Sequence, residues 1–331
     1  MSRRLKVGCD LFLDLRLYKL PQGHLERLKQ TFQAIQFEAV NVHNGQPAPS
    51  TNIEIYWGNR ITPEVVSMMP ELKWIHFGSV GVNRAQIKEI IDRNIIVTNS
   101  RDIMTGAVAA TALSMMLALA RGLHHCFHLQ RQGGLTRESY DRYFDQTYEL
   151  EGQTCLIVGL GRSGKRVARV CMDLGMQVDA ICQSVLTPKD INGKAYKLDK
   201  LKEAVKNADY VVNFLPLTME TTKIFDKNIF NAMKKESFFV NVGRGESVCE
   251  SDLVEALKNS EIGGAGLDVF EIEPLPVASE LWQIPEVIIT PHIGGLTNRY
   301  WEKQTKLFEE NLNKYIRGEE LINKVDMRKG Y

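Results

Sequence analysis

Residues 154–164 read TCLIVGLGRSG, an apolar run that ends in a loop with Gly159, Gly161 and Gly164. The run has the length of a β-strand, and a helix-like stretch follows at 164–174. A strand, a G-x-G-x-x-G loop and a helix form the fingerprint of a dinucleotide site, because glycines permit a tight turn and a close approach to a pyrophosphate. The stretch therefore predicts a βα unit of a parallel sheet with a dinucleotide beside its loop.

Two other interpretations of this loop stay open. The same residues continue to Lys165 as G-x-x-x-x-G-K, the beginning of a nucleoside-triphosphate loop. That motif needs Ser or Thr next to hold magnesium, and position 166 is Arg. A glycine-rich turn with a structural role is the third interpretation.

Strand-like and helix-like stretches alternate on both sides of this loop. Short apolar runs continue downstream as MQVDAIC, DYVVNFLP, SFFVNVG, GGAGLDVF and VIITPH. Upstream, LKVGCD, FEAVNV, IEIYWG, LKWIHFG and NIIVTN suggest a second set of strands, with helices at 23–35, 63–69 and 83–93. A long helical pattern covers 103–130, a polar linker covers 131–151, and a last helix covers 297–317. Repeated βα units predict an α/β protein with two parallel sheets.

Composition limits the classes of function. The 331 residues suit two domains, and 41 basic against 40 acidic residues leave a net charge of +1. No nucleic-acid or membrane-surface field is expected. Six cysteines without CxxC spacing suggest a reducing, cytoplasmic location. The apolar run Met104 to Ala120 is shorter than a typical membrane span and is expected to be a buried helix.

The expected tip of the second strand after the loop bears on the choice of cofactor. A dinucleotide site usually has Asp or Glu there, which binds the ribose 2′-hydroxyl. Here the strand ends with Cys182, Gln183 and Ser184, and Asp179 lies earlier, within the strand. NADP is therefore slightly favoured over NAD.

Three side chains with acid/base chemistry follow separate strands. Arg244 in NVGRG, Glu273 in LDVFEIEPLP and His292 in TPHIGG each come after an apolar run. Parallel strands place such residues at one sheet edge. A guanidinium can bind a carboxylate, and an acid can hold an imidazole that transfers a proton. Any one of them alone is more often a surface or structural residue, but the set predicts an acid/base site.

The chain resembles the D-isomer-specific 2-hydroxyacid dehydrogenase family along most of its length. The motifs occur in the family's order: SVGVN at 79–83, VTN at 97–99, ALAR at 118–121, GLGRSG at 159–164, LPLTMETTKIF at 215–225, NVGRGE at 241–246, LDVFEIEPLP at 267–276, PHIGG at 291–295 and NLNKYIRGEELINKVD at 311–326, followed by the terminal Gly330-Tyr331.

The resemblance implies two Rossmann-like, doubly wound domains with an active-site cleft between them. Residues 1–101 with 296–331 would form a discontinuous, flavodoxin-like substrate domain, and residues 102–295 the nicotinamide dinucleotide domain. The helix at 104–121 would form the core of a homodimer.

The resemblance also implies roles for individual residues. Arg244 would bind the carboxylate and carbonyl of a 2-oxo acid, His292 would be the acid/base and Glu273 its partner. Ser79, Val80 and Gly81 would form a cradle for the carboxylate through the amides of Val80 and Gly81, and Asp268 would lie near the nicotinamide amide. The expected cofactor-binding residues are Gly159, Leu160, Gly161, Arg162, Ser163, Gly164, Cys182, Gln183, Ser184, Pro216, Thr222, Val242, Asp268 and Gly294.

The expected function is reduction of a glyoxylate-, hydroxypyruvate- or pyruvate-type acid by NAD(P)H. Glu273 replaces the Gln of the superfamily's formate dehydrogenases, and Ala110 stands where the family often has an acid. A cofactor-sensing corepressor and a phosphoglycerate dehydrogenase remain as alternatives. His124 and His128 share one helix face, but no complete ligand set accompanies them, so no metal is expected.

Overall fold

The computed structural model describes residues 4–11, 19–40, 52–59, 61–79, 81–82, 88–183 and 190–327. The predictions on Val80, Ser184 and the terminal Gly330-Tyr331 lie outside these residues. The chain divides into two compact units, Met1–Met104 with Leu296–Tyr331, and Thr105–Gly295. The first junction falls at Met104 rather than at 101.

Twelve strands and eleven α-helices can be assigned in the described residues. The strands are β1 Lys6–Asp10, β2 Gln36–Ala39, β3 Ile55–Gly58, β4 Trp74–His76, β5 Ile96–Thr98, β6 Thr154–Val158, β7 Gln177–Ile181, β8 Ala195–Tyr196, β9 Tyr210–Asn213, β10 Phe238–Asn241, β11 Gly264–Leu267 and β12 Val287–Ile289. The helices are α1 Gln22–Thr31, α2 Pro63–Ser67, α3 Lys88–Asp92, α4 Arg101–Ala120, α5 Leu123–Arg131, α6 Arg137–Tyr140, α7 Arg162–Asp173, α8 Leu201–Ala204, α9 Lys227–Phe230, α10 Glu250–Lys258 and α11 Tyr300–Arg317.

The first unit is built on a parallel sheet of order β2-β1-β3-β4-β5. This is the flavodoxin-like strand order. Helix α2 begins at the predicted Thr62-Pro63 pair, where the Thr62 hydroxyl accepts a hydrogen bond from Val65 N at 3.3 Å. Helix α11 completes the core, because Phe308 stacks on Trp57 with ring centroids 4.0 Å apart. The C-terminal segment therefore packs with the N-terminal strands.

The second unit is built on a parallel sheet of order β12-β11-β10-β9-β6-β7-β8. The order reverses between β6 and β9, which is the topological switch point where doubly wound sheets bind ligands. The short strand β8 is an addition to the predicted strands. The prediction of an α/β fold with two parallel sheets is confirmed.

The predicted helix at 103–130 is wrong in one respect, because Gly122 divides it into α4 and α5. Gly122 has φ 61°, a left-handed conformation that ends a helix. A Cβ at this position would collide with the Tyr140 hydroxyl. The predicted linker at 131–151 contains helix α6 and a 3₁₀ helix at Asp141–Gln146.

Helix α4 buries part of its surface against the sheet of the second unit. Ala112, Met115 and Leu119 are buried, and Met115 packs on Gly266 of β11, where a Cβ would lie 2.8 Å from the Met115 Cβ. The segment Ile103–Ala120 has a mean hydropathy of 1.9 and is 39% buried in the chain. It is long and apolar enough to cross a membrane, although the core helix of a soluble protein can have the same properties.

Candidate active site

The three glycines of the loop after β6 have different surroundings. Gly159 has φ 97°, and a Cβ on it would lie 3.1 Å from Leu215 N. A Cβ on Gly164 would lie 2.6 Å from the Gly159 carbonyl oxygen, so glycine allows α7 to pack closely on the strand. A Cβ on Gly161 would meet nothing within 4 Å. A tight turn, an open backbone and close helix packing are what a pyrophosphate at the N-terminus of a helix requires. The loop therefore fits a dinucleotide.

The other residues assigned to the cofactor lie on the second unit. Leu160 and Val242 are buried, and Ser163 Oγ donates to Thr105 O at 3.3 Å. The Pro216 carbonyl accepts from Thr221 Oγ1 at 2.7 Å, whereas Thr222 is exposed and donates to Thr218 O. Arg162 begins α7, and Cys182 and Gln183 follow β7.

Asp179 lies within β7, as the sequence indicates. Its side chain is buried and accepts a hydrogen bond from Lys194 N at 2.7 Å. This carboxylate therefore links the strand to the segment before β8, and it does not stand at the strand tip where a ribose is recognised.

The predicted dyad is formed in the second unit. His292 Nδ1 lies 2.6 Å from Glu273 Oε2, and Glu273 Oε1 accepts from Phe270 N at 3.1 Å. Because Nδ1 is engaged by Glu273, the other ring nitrogen, Nε2, can face a substrate. The His292 side chain is 50% exposed, so it is accessible from outside the unit.

The electrostatics of the dyad favour an imidazolium. The hydrogen bond and charge of Glu273 raise the pKa of His292, against the opposing effects of burial and Arg244. Burial alone would raise the pKa of Glu273, but the hydrogen bond and charge of His292, the hydrogen bond from Phe270 N and the charge of Arg244 together outweigh it, so this pKa is lowered. Both shifts favour the charged pair.

Asp268 holds the backbone that carries His292. Its Oδ1 accepts from Thr290 Oγ1 at 2.6 Å and Ile293 N at 2.9 Å, and its Oδ2 accepts from Gly294 N at 2.9 Å. His292 itself has φ 53° and donates its N–H to Asp268 O. The carboxylate thus fixes a loop in which His292 has a left-handed backbone conformation.

Arg244 is held by a buried network that the sequence analysis did not identify. The Arg244 carbonyl accepts from Asn241 Nδ2 at 3.2 Å and Ser247 Oγ at 2.6 Å. Asn213 Nδ2 donates to Asn241 Oδ1 at 3.0 Å and Ser247 Oγ at 2.8 Å. The available signal was an Asn at the end of two apolar strands, YVVN and FFVN. Burial lowers the pKa of Arg244, and Glu246 and Glu273 oppose this effect.

Ser79 and Gly81 lie in the first unit, after β4. Ser79 Oγ donates to Gly81 O at 3.0 Å, and Ser100 N donates to Ser79 O at 3.0 Å. The Tyr300 hydroxyl of α11 donates to Gly78 O at 2.7 Å. These bonds fix the carbonyl oxygens of Gly78, Ser79 and Gly81.

The histidines after α4 form no metal cluster in the described residues. Burial lowers the pKa of His124 to about 4, and His128 Nε2 contacts Gln132.

Comparisons with known proteins agree with this geometry. A family model described as D-isomer specific 2-hydroxyacid dehydrogenase, NAD binding domain, matches residues 113–294. A glyoxylate reductase of Thermococcus kodakarensis is 35% identical and covers 82% of this chain and 83% of its own length. A D-3-phosphoglycerate dehydrogenase of Methanocaldococcus jannaschii is 33% identical over 82% of this chain and 50% of its own length. An NADPH-dependent glyoxylate/hydroxypyruvate reductase of Sinorhizobium meliloti, solved with NADP and malonate, is 25% identical, with a TM-score of 0.81 over 99% of this chain and 98% of its own. The chain therefore belongs to the D-isomer specific 2-hydroxyacid dehydrogenase family and is an NAD(P)-dependent oxidoreductase.

Proposed function

We propose that this enzyme reduces a small 2-oxo acid of the glyoxylate, hydroxypyruvate or pyruvate type to a D-2-hydroxy acid. The contact of 2.6 Å between His292 and Glu273 carries the proposal, because it raises the pKa of an accessible imidazole and so favours its acid form. The relative from Thermococcus kodakarensis bears the name glyoxylate reductase, which supports this substrate class.

In this proposal Arg244 binds the substrate, and His292 with Glu273 transfers the proton. Arg244 binds the substrate carboxylate through its planar fork. NAD(P)H, when bound, supplies a hydride to C2. His292 Nε2 gives its proton to the carbonyl oxygen, and Glu273 stabilises the imidazolium until then. The carbonyl carbon gains a hydride and the carbonyl oxygen gains a proton, so the product is an alcohol.

A direct assay tests the proposal. Purified enzyme is mixed with NADH or NADPH and with glyoxylate, hydroxypyruvate, pyruvate or 3-phosphohydroxypyruvate, and loss of nicotinamide absorbance is followed. We expect turnover of at least one small 2-oxo acid, and we expect His292→Ala to bind cofactor without turnover. Binding of cofactor by the wild type with no turnover would favour a cofactor-sensing protein. A preference for the phosphorylated acid would favour a phosphoglycerate dehydrogenase.

We also propose that α4 lies in a homodimer interface of a cytoplasmic protein. Leu117 is 39% exposed on a helix of high hydropathy, and a second copy could cover this face. The six cysteines are free thiols, the state that a reducing compartment maintains.

A further inference from the structure

The tip of β7 carries a lysine that is distant in sequence. Strands β7 and β8 run parallel, with Ile181 opposite Tyr196, and Cys182 N donates to Tyr196 O. This register brings the residue after β8, Lys197, beside the residues after β7. Its Nζ donates to Gln183 O at 3.1 Å. The residues after β7 therefore include no acid among Cys182 and Gln183, and the ammonium group of Lys197 lies beside them.

The local charges leave this tip positive. Lys165, in the first turn of α7, pairs with Asp190 at 2.8 Å, so these two charges offset each other. Lys197 forms no ion pair within the described parts of the chain. Burial raises the pKa of the Cys182 thiol, the charges of Lys197 and Lys165 oppose that rise, and the charge of Asp190 adds to it. One contact to a neutral carbonyl leaves the Lys197 ammonium with two further protons to donate.

This position corresponds to a defined part of a bound dinucleotide. Gly159 N donates to Ile181 O, so the loop that fits the pyrophosphate adjoins the end of β7. In doubly wound folds, the tip of the strand after the glycine loop recognises the 2′ substituent of the adenosine ribose. We propose that Lys197, together with Gln183, binds the 2′-phosphate of NADPH. This inference rests on the proposed dehydrogenase function and names a residue that selects its cofactor.

Direct binding tests the inference without relying on turnover. Dissociation constants for NADPH and NADH are measured by titration calorimetry for the wild type, Lys197→Met and Lys227→Met. Methionine keeps most of the stem and removes the charge. Lys227 is an exposed lysine paired with Glu255 on the surface, and it gives the same change in net charge. We expect Lys197→Met to raise the dissociation constant for NADPH about tenfold or more, as for loss of a charged hydrogen bond. The dissociation constant for NADH should stay within about twofold of the wild-type value. Lys227→Met should change neither.

The nucleotide fragments 2′,5′-ADP and 5′-AMP isolate the phosphate from the rest of the cofactor. Lys197→Met should weaken the binding of 2′,5′-ADP and leave the binding of 5′-AMP unchanged. Gln183→Asp should weaken the binding of NADPH, because its carboxylate repels the 2′-phosphate. It should leave the binding of NADH unchanged, so the preference shifts towards NADH. Equal losses of affinity for NADPH and NADH in Lys197→Met, or no loss of affinity for NADPH, would overturn the role of Lys197. A wild-type chain that binds neither cofactor would contradict the proposed function itself, which is a different result.

Discussion

The hydrogen bond and charge of Glu273 favour the charged form of the His292 imidazole. An unperturbed histidine titrates near 6.5, so most of it is neutral at pH 7. Glu273 raises the pKa of His292, which keeps the acid form at higher pH. Reduction needs this acid form, so its rate should be high at low pH and should fall as pH rises through the raised pKa.

Glu273→Gln should move that alkaline fall to lower pH, because glutamine keeps a hydrogen-bonding group but removes the charge. The measurement is the pH profile of kcat/KM at saturating cofactor for the two proteins. Glu271→Gln is the control, since the Glu271 carboxylate pairs with Lys223 Nζ at 2.6 Å rather than with His292. Coincident alkaline limbs for wild type and Glu273→Gln would refute the dyad.

Arg244→Lys should raise KM for the oxo acid and lower kcat. Lysine keeps a charge but replaces the planar fork with a point donor. We expect a loss of about 2–4 kcal/mol in transition-state binding, calculated from kcat/KM. Arg317→Lys, at an exposed arginine in the last turn of α11, should have no such effect. Unchanged kinetics in Arg244→Lys would show that another group binds the carboxylate.

The sequence could predict Arg244, Glu273 and His292 because each follows a strand whose apolar run is easily recognised. It could not predict Asn213, Asn241 and Ser247, because their roles depend on which strands are neighbours. Strands β9 and β10 pair with Asn213 opposite Asn241, and this register creates the network beneath Arg244. Lys197 was missed for the same reason, since its proximity to Gln183 arises from the pairing of β7 with β8.

The boundary between α4 and α5 cannot be predicted from the spacing of apolar residues alone. The apolar spacing continues across Gly122, so a single helix was predicted. The structure ends α4 there because Gly122 takes a left-handed conformation and the Tyr140 hydroxyl occupies the space of a Cβ. Tyr140 also contacts Thr147 Oγ1 at 2.8 Å and donates to Arg121 O. A contact between segments that are distant in sequence therefore decides the helix boundary.

Gly122→Ala should destabilise the fold more than Gly133→Ala. Both glycines have positive φ, 61° and 72°, so both substitutions should cost about 1 kcal/mol of backbone strain. A Cβ on Gly133 meets nothing within 4 Å, whereas one on Gly122 collides with Tyr140. Thermal melting followed by circular dichroism should give a larger fall in Tm for Gly122→Ala. Equal falls would mean that the Tyr140 contact does not fix this turn.

The parallel sheets of both units follow from βα alternation, and the C-terminal helix joins the first unit where Phe308 stacks on Trp57. Assembly is a separate question, because only 39% of the segment Ile103–Ala120 is buried within the chain. Leu117 is 39% exposed on α4, and Leu174, just after α7, is 40% exposed. If α4 is the core of a dimer, glutamate at position 117 places a charge in an apolar interface, which is costly without a partner. Light scattering at micromolar concentration should therefore give a dimer for the wild type and for Leu174→Glu, and a larger monomer fraction for Leu117→Glu. A wild-type monomer would reject the dimer. A dimer that Leu117→Glu leaves intact would place its interface on a surface other than the exposed face of α4.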